Sequence, residues 1–166
     1  MVTLSPHRLE KAWLACRLDC NGSLTFNFKR HSSGRISAIP KVILAKGGDE
    51  VISRTQKCID RVFEDKLEIT VPESAVKTKQ AWVVGSSNNF YLLTYLKPYV
   101  IDKSESAKIM LKFIASRLEK RHSEKNDREY STKEKIWIRQ ILTLNKQEIP
   151  SWVDDWLAVR EVKQSV

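Results

Sequence analysis

Residues 14–23 read LACRLDCNGS and join two segments with different hydrophobic periods. Upstream, apolar or small residues recur at a helical spacing, at positions Leu9, Ala12, Trp13, Cys16 and Cys20. This spacing predicts a helix that carries them on one stripe and ends at Gly22. Downstream the period is two, because polar residues alternate with Leu24, Phe26 and Phe28. The stretch therefore predicts a helix that passes directly into a half-buried strand.

The composition is that of one basic domain. The chain has 166 residues, is 42% hydrophobic and carries a formal net charge of +9, which is enough length for a core and too little for several domains. A positive mean field attracts polyanions, with nucleic acid first and acidic membrane surface second. No apolar run approaches the ~20 residues that cross a bilayer, and residues 1–8 lack a signal-peptide layout. We expect a protein that stays inside a cell or organelle and has no membrane partner.

The three cysteines indicate neither a disulfide framework nor a zinc site. Cys16, Cys20 and Cys58 are an odd number, and no second metal-type pair accompanies them. We expect reduced and mostly buried thiols.

Four strands are predicted, and they have polar outward faces. They cover residues 23–29, 35–46, 66–71 and about 77–84. Pro40, in the second strand, favours an edge position or a bulge. In the fourth strand either Lys77 and Lys79 or Gln80 and Trp82 could face outward. The outward residues of the first three strands are polar with a basic excess: Ser23, Thr25, Asn27, Lys29, Arg35, Ser37, Lys41, Lys66, Glu68 and Thr70.

Helices are predicted between and after the strands. Helical spacing recurs over residues 51–63, and later helices cover 88–100, 104–121 and 131–145, the last opened by the capping box Ser131-x-x-Glu134. A short final helix begins at Ser151 and carries Trp152 and Trp156 as packing residues. The order gives an α+β fold whose polar sheet face is left uncovered. Such a basic sheet suits the major groove of duplex DNA.

Two blocks of sequence resemble one known family. Residues 14–23 resemble the LAGLIDADG motif of homing endonucleases. Residues 93–99, LTYLKPY, followed by Lys103 and Ala107, resemble a second block of the single-motif, intron-encoded group of chloroplast ribosomal RNA genes. The likeness covers roughly residues 6–145. It implies an αββαββα saddle with additional C-terminal helices, in which residues 1–145 are the LAGLIDADG domain and residues 146–166 a short helical tail.

The resemblance also implies an activity and an assembly. One motif per chain supplies half a site, so the family likeness implies a homodimer on a nearly palindromic double-stranded DNA target. The two motif helices would meet through Ala12, Cys16, Asp19 and Cys20. Family members are intron-encoded nucleases that hydrolyse DNA phosphodiester bonds with Mg²⁺. The implied location is an organelle, either chloroplast or mitochondrion, or a bacterial cytoplasm.

The family's functional residues carry over position by position. Asn21 stands at the place of the metal-binding aspartate and is the implied catalytic and metal residue. Lys103 matches the basic residue near the scissile phosphate, and Lys46 lies near the water-positioning residue. Because Mg²⁺ ordinarily relies on carboxylates, we expect Asn21 to weaken or remove cleavage, and enzyme activity stays open. The DNA-binding set comprises the outward strand residues above together with Lys77 and Lys79.

Two other functions stay open at this point. Some members of the family assist splicing without needing the carboxylate, so the chain could be a maturase that binds a group I intron RNA. It could also be a non-catalytic protein that keeps the fold for DNA binding or for another interaction. Salt-dependent binding to a duplex separates these alternatives from tighter binding to a structured RNA.

Overall fold

The computed structural model describes residues 7–64, 67, 69–70, 79–83, 85–122 and 129–158. The side chains of residues 69, 70 and 122 are not described. The helices and strands follow one another in the chain order α1 (Arg8–Asn21), β1 (Ser23–Arg30), β2 (Ile36–Gly47), α2 (Asp49–Phe63), β3 (Ile69–Thr70), β4 (Lys79–Val83), α3 (Ser86–Leu96), α4 (Ser104–His122), α5 (Thr132–Leu144) and α6 (Ser151–Leu157). This order confirms the predicted α+β class and the αββαββα order with additional C-terminal helices.

One antiparallel sheet of four strands has the order β1-β2-β4-β3. β1 pairs with β2 along its whole length, from Ser23 opposite Ile43 to Arg30 opposite Ile36. β4 pairs with β2 only from Ile43 to Gly47, with a bulge between Ile43 and Ala45. The sheet therefore has a long two-stranded ribbon at one end, where β1 and β2 extend beyond β4.

Pro40 lies opposite Phe26 of β1 and precedes the part of β2 that pairs with β4. The expected edge position is therefore confirmed locally, although β2 as a whole is a central strand. Side chains hydrogen-bond to the backbone of β2 on the side that no strand pairs here. The Tyr130 hydroxyl accepts from the backbone N–H of Ala38 at 2.9 Å, and the Asn89 amide donates to the carbonyl of Pro40 at 3.2 Å. A proline is tolerated because no strand on that side requires its missing N–H.

Gly22 makes the turn from α1 into β1 possible. Its backbone N–H donates to the carbonyls of Arg17 at 2.9 Å and Leu18 at 3.1 Å, which closes the helix. A Cβ atom on Gly22 would lie 2.7 Å from the Leu18 Cα and nearer still to the carbonyl oxygen of Ile43 in β2. Only glycine lets the end of α1 approach the sheet this closely.

The core lies between the helices and one face of the sheet. α1 contributes Leu14, Ala15 and Leu18, all fully buried. Val153 and Leu157 of α6 are buried in the same core, and the rings of Trp152 and Trp156 lie 6.4 and 6.3 Å from the Phe28 ring. The two tryptophans are therefore packing residues, as expected. The domain boundary at residue 145 stays a prediction.

The remaining helix predictions hold within a few residues. α3 begins at Ser86 and ends at Leu96, earlier than the predicted range 88–100. The capping box of α5 is present, because Ser131 Oγ accepts from the Glu134 N–H and the Glu134 side chain accepts from the Ser131 N–H. Among the helices that the structure describes, none combines the length and apolarity needed to span a membrane.

Candidate nucleic-acid interface

The side of the sheet away from the helices carries polar and basic side chains. Burial alternates along β1, where Leu24 and Phe26 face the core and the residues between them do not. We call this surface the open face. It comprises Ser23, Thr25, Asn27 and Lys29 of β1, Ser37, Ile39, Lys41, Ile43 and Lys46 of β2, and Gln80 and Trp82 of β4.

The outward orientation expected for β1 and for Ser37 and Lys41 of β2 is confirmed. For β4 the structure selects the second alternative, because Ala81 and Val83 are 0% and 1% exposed on the core side and Gln80 and Trp82 lie opposite them. Lys79 is on the helix side, where its Nζ lies 2.5 Å from Asp49 Oδ1 of α2. It therefore does not share the open face with the other residues.

The other predicted DNA-binding residues lie at or beyond the margins of the open face. Arg35 is exposed in the turn before β2 and not in the strand itself. Thr70 lies opposite Trp82 in the strand register. Lys66, Glu68 and Lys77 lie outside the described residues. DNA contact stays a prediction for every member of the set.

Lys41 and Trp82 form a contact in the middle of the open face. Lys41 Nζ lies 3.4 Å from the centre of the Trp82 ring, a cation–π arrangement. Burial lowers the pKa of Lys41, and the positive charge of Lys46 lowers it further. Lys41 is therefore partly desolvated by its packing against Trp82.

The C-terminal turn of α1 brings three residues with a predicted catalytic role together with Asp19 and Arg17. We call this group the helix foot and define it as Arg17, Asp19, Asn21, Lys46 and Lys103. Asn21 is the last residue of α1, Lys46 lies near the end of β2, and Lys103 immediately precedes α4. The residues that the resemblance singled out thus meet although they are distant in sequence.

Asp19 ties α1 to the start of α4. Its carboxylate accepts from the backbone N–H of Ile101 at 2.7 Å and of Lys103 at 3.0 Å. In return, Lys103 Nζ donates to the backbone carbonyl of Asp19. Asp19 was predicted at a dimer interface, and within one protomer its carboxylate is already engaged. These bonds hold the Lys103 ammonium at the foot of α1.

Asn21 faces a guanidinium. In the amide orientation that satisfies both of its polar atoms, Asn21 Oδ1 accepts from Arg17 Nη2 at 3.2 Å and its nitrogen donates to the Cys20 carbonyl at 2.9 Å. Arg17 Nη2 also lies 3.3 Å from the carbonyl oxygen of Lys46. Arg17 is half-buried, and its buried Nε has no hydrogen-bond partner. Arg17 therefore joins Asn21 to the end of β2.

The helix foot does not fit a Mg²⁺ ion held as the resemblance implies. Asn21 offers a neutral oxygen that already faces a cation, and the Asp19 oxygens are taken by backbone N–H groups. At an effective dielectric of 20, two unit positive charges 4 Å apart repel by about 4 kcal/mol, so a divalent ion beside Arg17 is strongly disfavoured. Within the described part of the chain, no three His, Cys, Asp or Glu side chains cluster as metal ligands.

The stripe of α1 that the sequence highlighted is exposed in the single chain. Leu9 is 73% exposed, and Ala12, Cys16 and Cys20 are also exposed. The Sγ atoms of Cys16 and Cys20 lie 3.8 Å apart, and this contact raises the pKa of Cys20. The expectation of mostly buried thiols is wrong for these two and right only for Cys58. Helical spacing identified the stripe but could not say which side of α1 meets the core.

Sequence reasoning missed a basic cavity at the far end of the β1–β2 ribbon. Its volume is about 410 Å³, and cationic side chains of the ribbon and of α4 line it, among them Lys29, Arg35, Arg117 and Arg121. Arg117 and Arg121 occur at i and i+4 in a helix that the sequence predicted. That spacing marks a shared face, but only the fold shows that this face reaches the ribbon.

Comparisons with known proteins agree with the fold. No family model and no curated protein matches this chain. Solved structures do match. The homing endonuclease I-CvuI, in complex with the I-CreI target in the presence of Mg with DNA not cleaved, is 16% identical, with a TM-score of 0.70 over 91% of this chain and 94% of that chain. The archaeal intron-encoded homing endonuclease I-Vdi141I complexed with DNA is 13% identical, with a TM-score of 0.61 over 89% of this chain and 96% of that chain.

A third match has a different length. The LAGLIDADG homing endonuclease I-SmaMI bound to cleaved DNA is 13% identical, with a TM-score of 0.54 over 86% of this chain but only 51% of that chain. The present chain therefore corresponds to about half of that protein. Together the matches show that this chain has the fold of LAGLIDADG homing endonucleases.

Proposed function

We propose that two copies of this chain bind one duplex DNA sequence-specifically, as homing endonucleases do, and that cleavage is weakened or lost. The observation that carries the proposal is the uncovered open face, polar and basic, in a fold whose solved examples include complexes with DNA. The net charge of +9 adds long-range attraction to phosphates.

The open face offers two kinds of contact. Lys29 is an exposed cation near the end of β1, suited to a phosphate. Asn27, exposed beside it, and Gln80 on β4 carry amides that can pair with the donor and acceptor edge of adenine in the major groove. The ribbon supplies the element that enters the groove, and the cationic side chains fix its register.

Homodimerisation is the second part of the proposal. A chain that matches half of I-SmaMI needs a second copy to present both half-sites. The exposed stripe of α1, with small residues at Ala12, Cys16 and Cys20, allows two helices to approach closely. Two open faces related by a twofold axis would then lie along one nearly palindromic target.

Loss of cleavage follows from the chemistry of the helix foot. Hydrolysis of a phosphodiester by a bound divalent ion needs an anionic ligand to hold the ion. Asn21 supplies a neutral amide, and Arg17, Lys46 and Lys103 surround it with positive charge. These residues can bind and orient a phosphate, but they include no free carboxylate that could hold the ion.

The test is selection of duplexes from a random-sequence library by the purified chain. We expect enrichment of one nearly palindromic sequence and a steep loss of affinity with salt. Lys29→Ala should lower affinity for all duplexes alike and reduce the slope of log K against log salt by about 1. Lys57→Ala, which removes an exposed lysine from α2 on the other side of the sheet, is the matched control and should leave the slope unchanged.

Two results contradict the DNA proposal. One is the absence of any enriched duplex together with no salt-dependent binding. The other is tighter binding to a structured group I intron RNA than to the selected duplex, which would favour the maturase alternative. Equal effects of Lys29→Ala and Lys57→Ala would place the binding surface elsewhere.

The dimer has its own test, which uses the native cysteines of α1. A short bis-maleimide linker should join two chains through the exposed stripe when one thiol per helix is kept, as in Cys16→Ser or Cys20→Ser. Each single variant removes the competing bridge between the two thiols of one helix. The product is measured as a covalent dimer by denaturing electrophoresis.

The double variant Cys16→Ser/Cys20→Ser is the control. It keeps Cys58, which is buried, and should yield no covalent dimer. A monomer by sedimentation at DNA-binding concentrations, with no cross-link in either single variant, would contradict the proposed arrangement.

A further inference from the structure

We propose that Arg17 is a built-in substitute for a divalent ion: its guanidinium binds DNA phosphate at the helix foot and excludes metal from Asn21. The inference concerns the helix foot of the same protein and rests on the proposed DNA binding for its phosphate ligand. The second part of the proposal, that Arg17 excludes metal from Asn21, rests on the geometry of these two residues alone.

Arg17 occupies a place where a cation is held but not neutralised. Its Nη2 donates to two neutral oxygens, Oδ1 of Asn21 and the carbonyl of Lys46. Among the contacts of the described residues, no carboxylate pairs with it. Uncompensated charge that is half-buried is costly, so its retention calls for an anionic ligand from outside the chain.

The Nη1 nitrogen is the group free to take that ligand. The structure gives it no partner within the described residues, whereas Nε is buried and Nη2 is engaged. Guanidinium binds phosphate oxygens through parallel N–H donors better than a point charge does. Contacts to Asn21 and Lys46 hold the plane of the guanidinium and so reduce the entropy lost when phosphate binds.

The surrounding charges favour an anion and disfavour a second cation. Lys103 Nζ is held against the end of α1 by the Asp19 carbonyl, and Lys46 lies on the strand that Arg17 contacts. Asp19 is the one carboxylate among the five residues of the helix foot, and backbone N–H groups occupy both of its oxygens. The exposed carboxylate of Asp102 lies near enough to act on Cys20, and its single negative charge does not balance the cations of the helix foot. The helix foot is therefore positive before any ion binds.

Restoring the carboxylate alone should consequently fail to restore a metal site. In Asn21→Asp the new carboxylate lies one helical turn from Arg17, and the two form an ion pair in place of a metal complex. The carboxylate becomes available only when the guanidinium is also removed. Arg17 and Asn21 thus act as one unit, and a double-substitution cycle measures their coupling.

The experiment compares the wild type with Arg17→Met, Asn21→Asp and the double variant. Met keeps the side chain out to the position of Nε, where an apolar methyl group replaces the buried unpaired nitrogen, and removes the rest of the guanidinium. The first probe is a mixed-sequence duplex, titrated in EDTA and in Ca²⁺ at equal ionic strength. The second probe is Mn²⁺ alone, followed by its paramagnetic resonance signal. Lys57→Met is the control for general loss of positive charge, and Arg17→Gln repeats the test should Arg17→Met fold poorly.

Three results are expected. Wild type and Asn21→Asp bind the duplex equally in EDTA and in Ca²⁺, within about twofold. Arg17→Met weakens binding by about tenfold in both solutions, the equivalent of one charge-assisted hydrogen bond. Only the double variant binds more tightly in Ca²⁺ than in EDTA, and it binds Mn²⁺ about tenfold or more tightly than Asn21→Asp does.

Other results overturn the proposal. Asn21→Asp binding Mn²⁺ as well as the double variant would show that Arg17 does not exclude metal. Duplex affinity unchanged in Arg17→Met, or reduced equally in Lys57→Met, would remove its phosphate role. Failure of every protein to bind any duplex would refute both the DNA proposal and the phosphate role, whereas the Mn²⁺ titration still decides the metal-excluding role.

Discussion

Gly22→Ala is expected to lower the free energy of unfolding by about 3 kcal/mol, at the upper end of the usual penalty for overpacking. The added Cβ would meet backbone atoms, namely the Leu18 Cα at 2.7 Å, the Leu18 carbonyl oxygen at 2.8 Å and, closer still, the Ile43 carbonyl oxygen. Backbone atoms cannot rotate away as a flexible side chain can. The end of α1 must therefore separate from β2, which also displaces Asn21 and weakens DNA binding.

The measurement is thermal unfolding of Gly22→Ala beside Gly48→Ala. A loss of 3 kcal/mol lowers the Tm of a domain of this size by roughly 6–12 °C. Gly48 has no atom within 4 Å of an added Cβ and a negative φ of −75°, so the expected cost is only that of placing alanine at the N-cap of α2, less than about 1 kcal/mol. Equal Tm values for the two variants would contradict the close approach of α1 and β2.

The transition at Gly22 was the part of the fold that the sequence predicted best. The change of period from helical to two at this residue is a local signal, because each side chain's position along a helix or strand fixes the face that it shares with its neighbours. The same signal gave the order of α1, β1 and β2 and the outward residues of β1. The capping box at Ser131 was equally local, since both of its partners lie within one turn of helix.

Features that depend on pairing between distant segments were not predictable in the same way. Which residues of β4 face outward depends on the bulge in β2, which shifts the register between Ile43 and Ala45. Pro40 reads as an edge residue although its strand is central, because the length of β4 decides which part of β2 is paired. The exposure of Cys16 and Cys20 depends on where α2 and α3 pack around α1.

The helix foot likewise combines residues that the sequence could identify with contacts that only the folded chain shows. Asn21, Lys46 and Lys103 could be placed by resemblance, and the fold brings them to the foot of α1. The role of Arg17 could not be predicted from its type, since a long cationic side chain in the last turns of a helix could equally have faced solvent. Its contacts with Asn21 and with the Lys46 carbonyl are properties of the packed structure.

A buried carboxylate far from the helix foot should have the largest effect on stability. Glu134 of α5 is 0% exposed, and its oxygens contact Lys120 Nζ at 2.8 Å, the Ser131 N–H at 2.7 Å and Ser116 Oγ at 3.0 Å. It is the only buried carboxylate in the part of the chain that the structure describes. The network joins α4 to the first turn of α5, so the packing of these two helices relies on the negative charge of Glu134.

Glu134→Gln should destabilise the protein by about 3–5 kcal/mol, the range for breaking a buried ion pair from one side. Lys120 loses its charged partner, and the glutamine nitrogen, as a donor, faces other donors. Thermal or urea unfolding at neutral pH measures the loss. Glu119→Gln is the matched control, because Glu119 is an exposed glutamate of α4 outside this network. It should change stability by less than about 0.5 kcal/mol.

The pH dependence of the difference tests the charge itself. Burial alone would raise the pKa of Glu134, but hydrogen bonds from Lys120, Ser131 and Ser116 outweigh it and leave the pKa below its ordinary value of 4.5. A carboxyl with a lowered pKa stabilises the fold fully above its ordinary pKa and loses that contribution as the pH falls through the folded value. The stability gap between wild type and Glu134→Gln should therefore be constant from neutral pH to about pH 5 and narrow below 4.5. A gap that stays constant into this acid range would show that Glu134 contributes shape and packing rather than its negative charge.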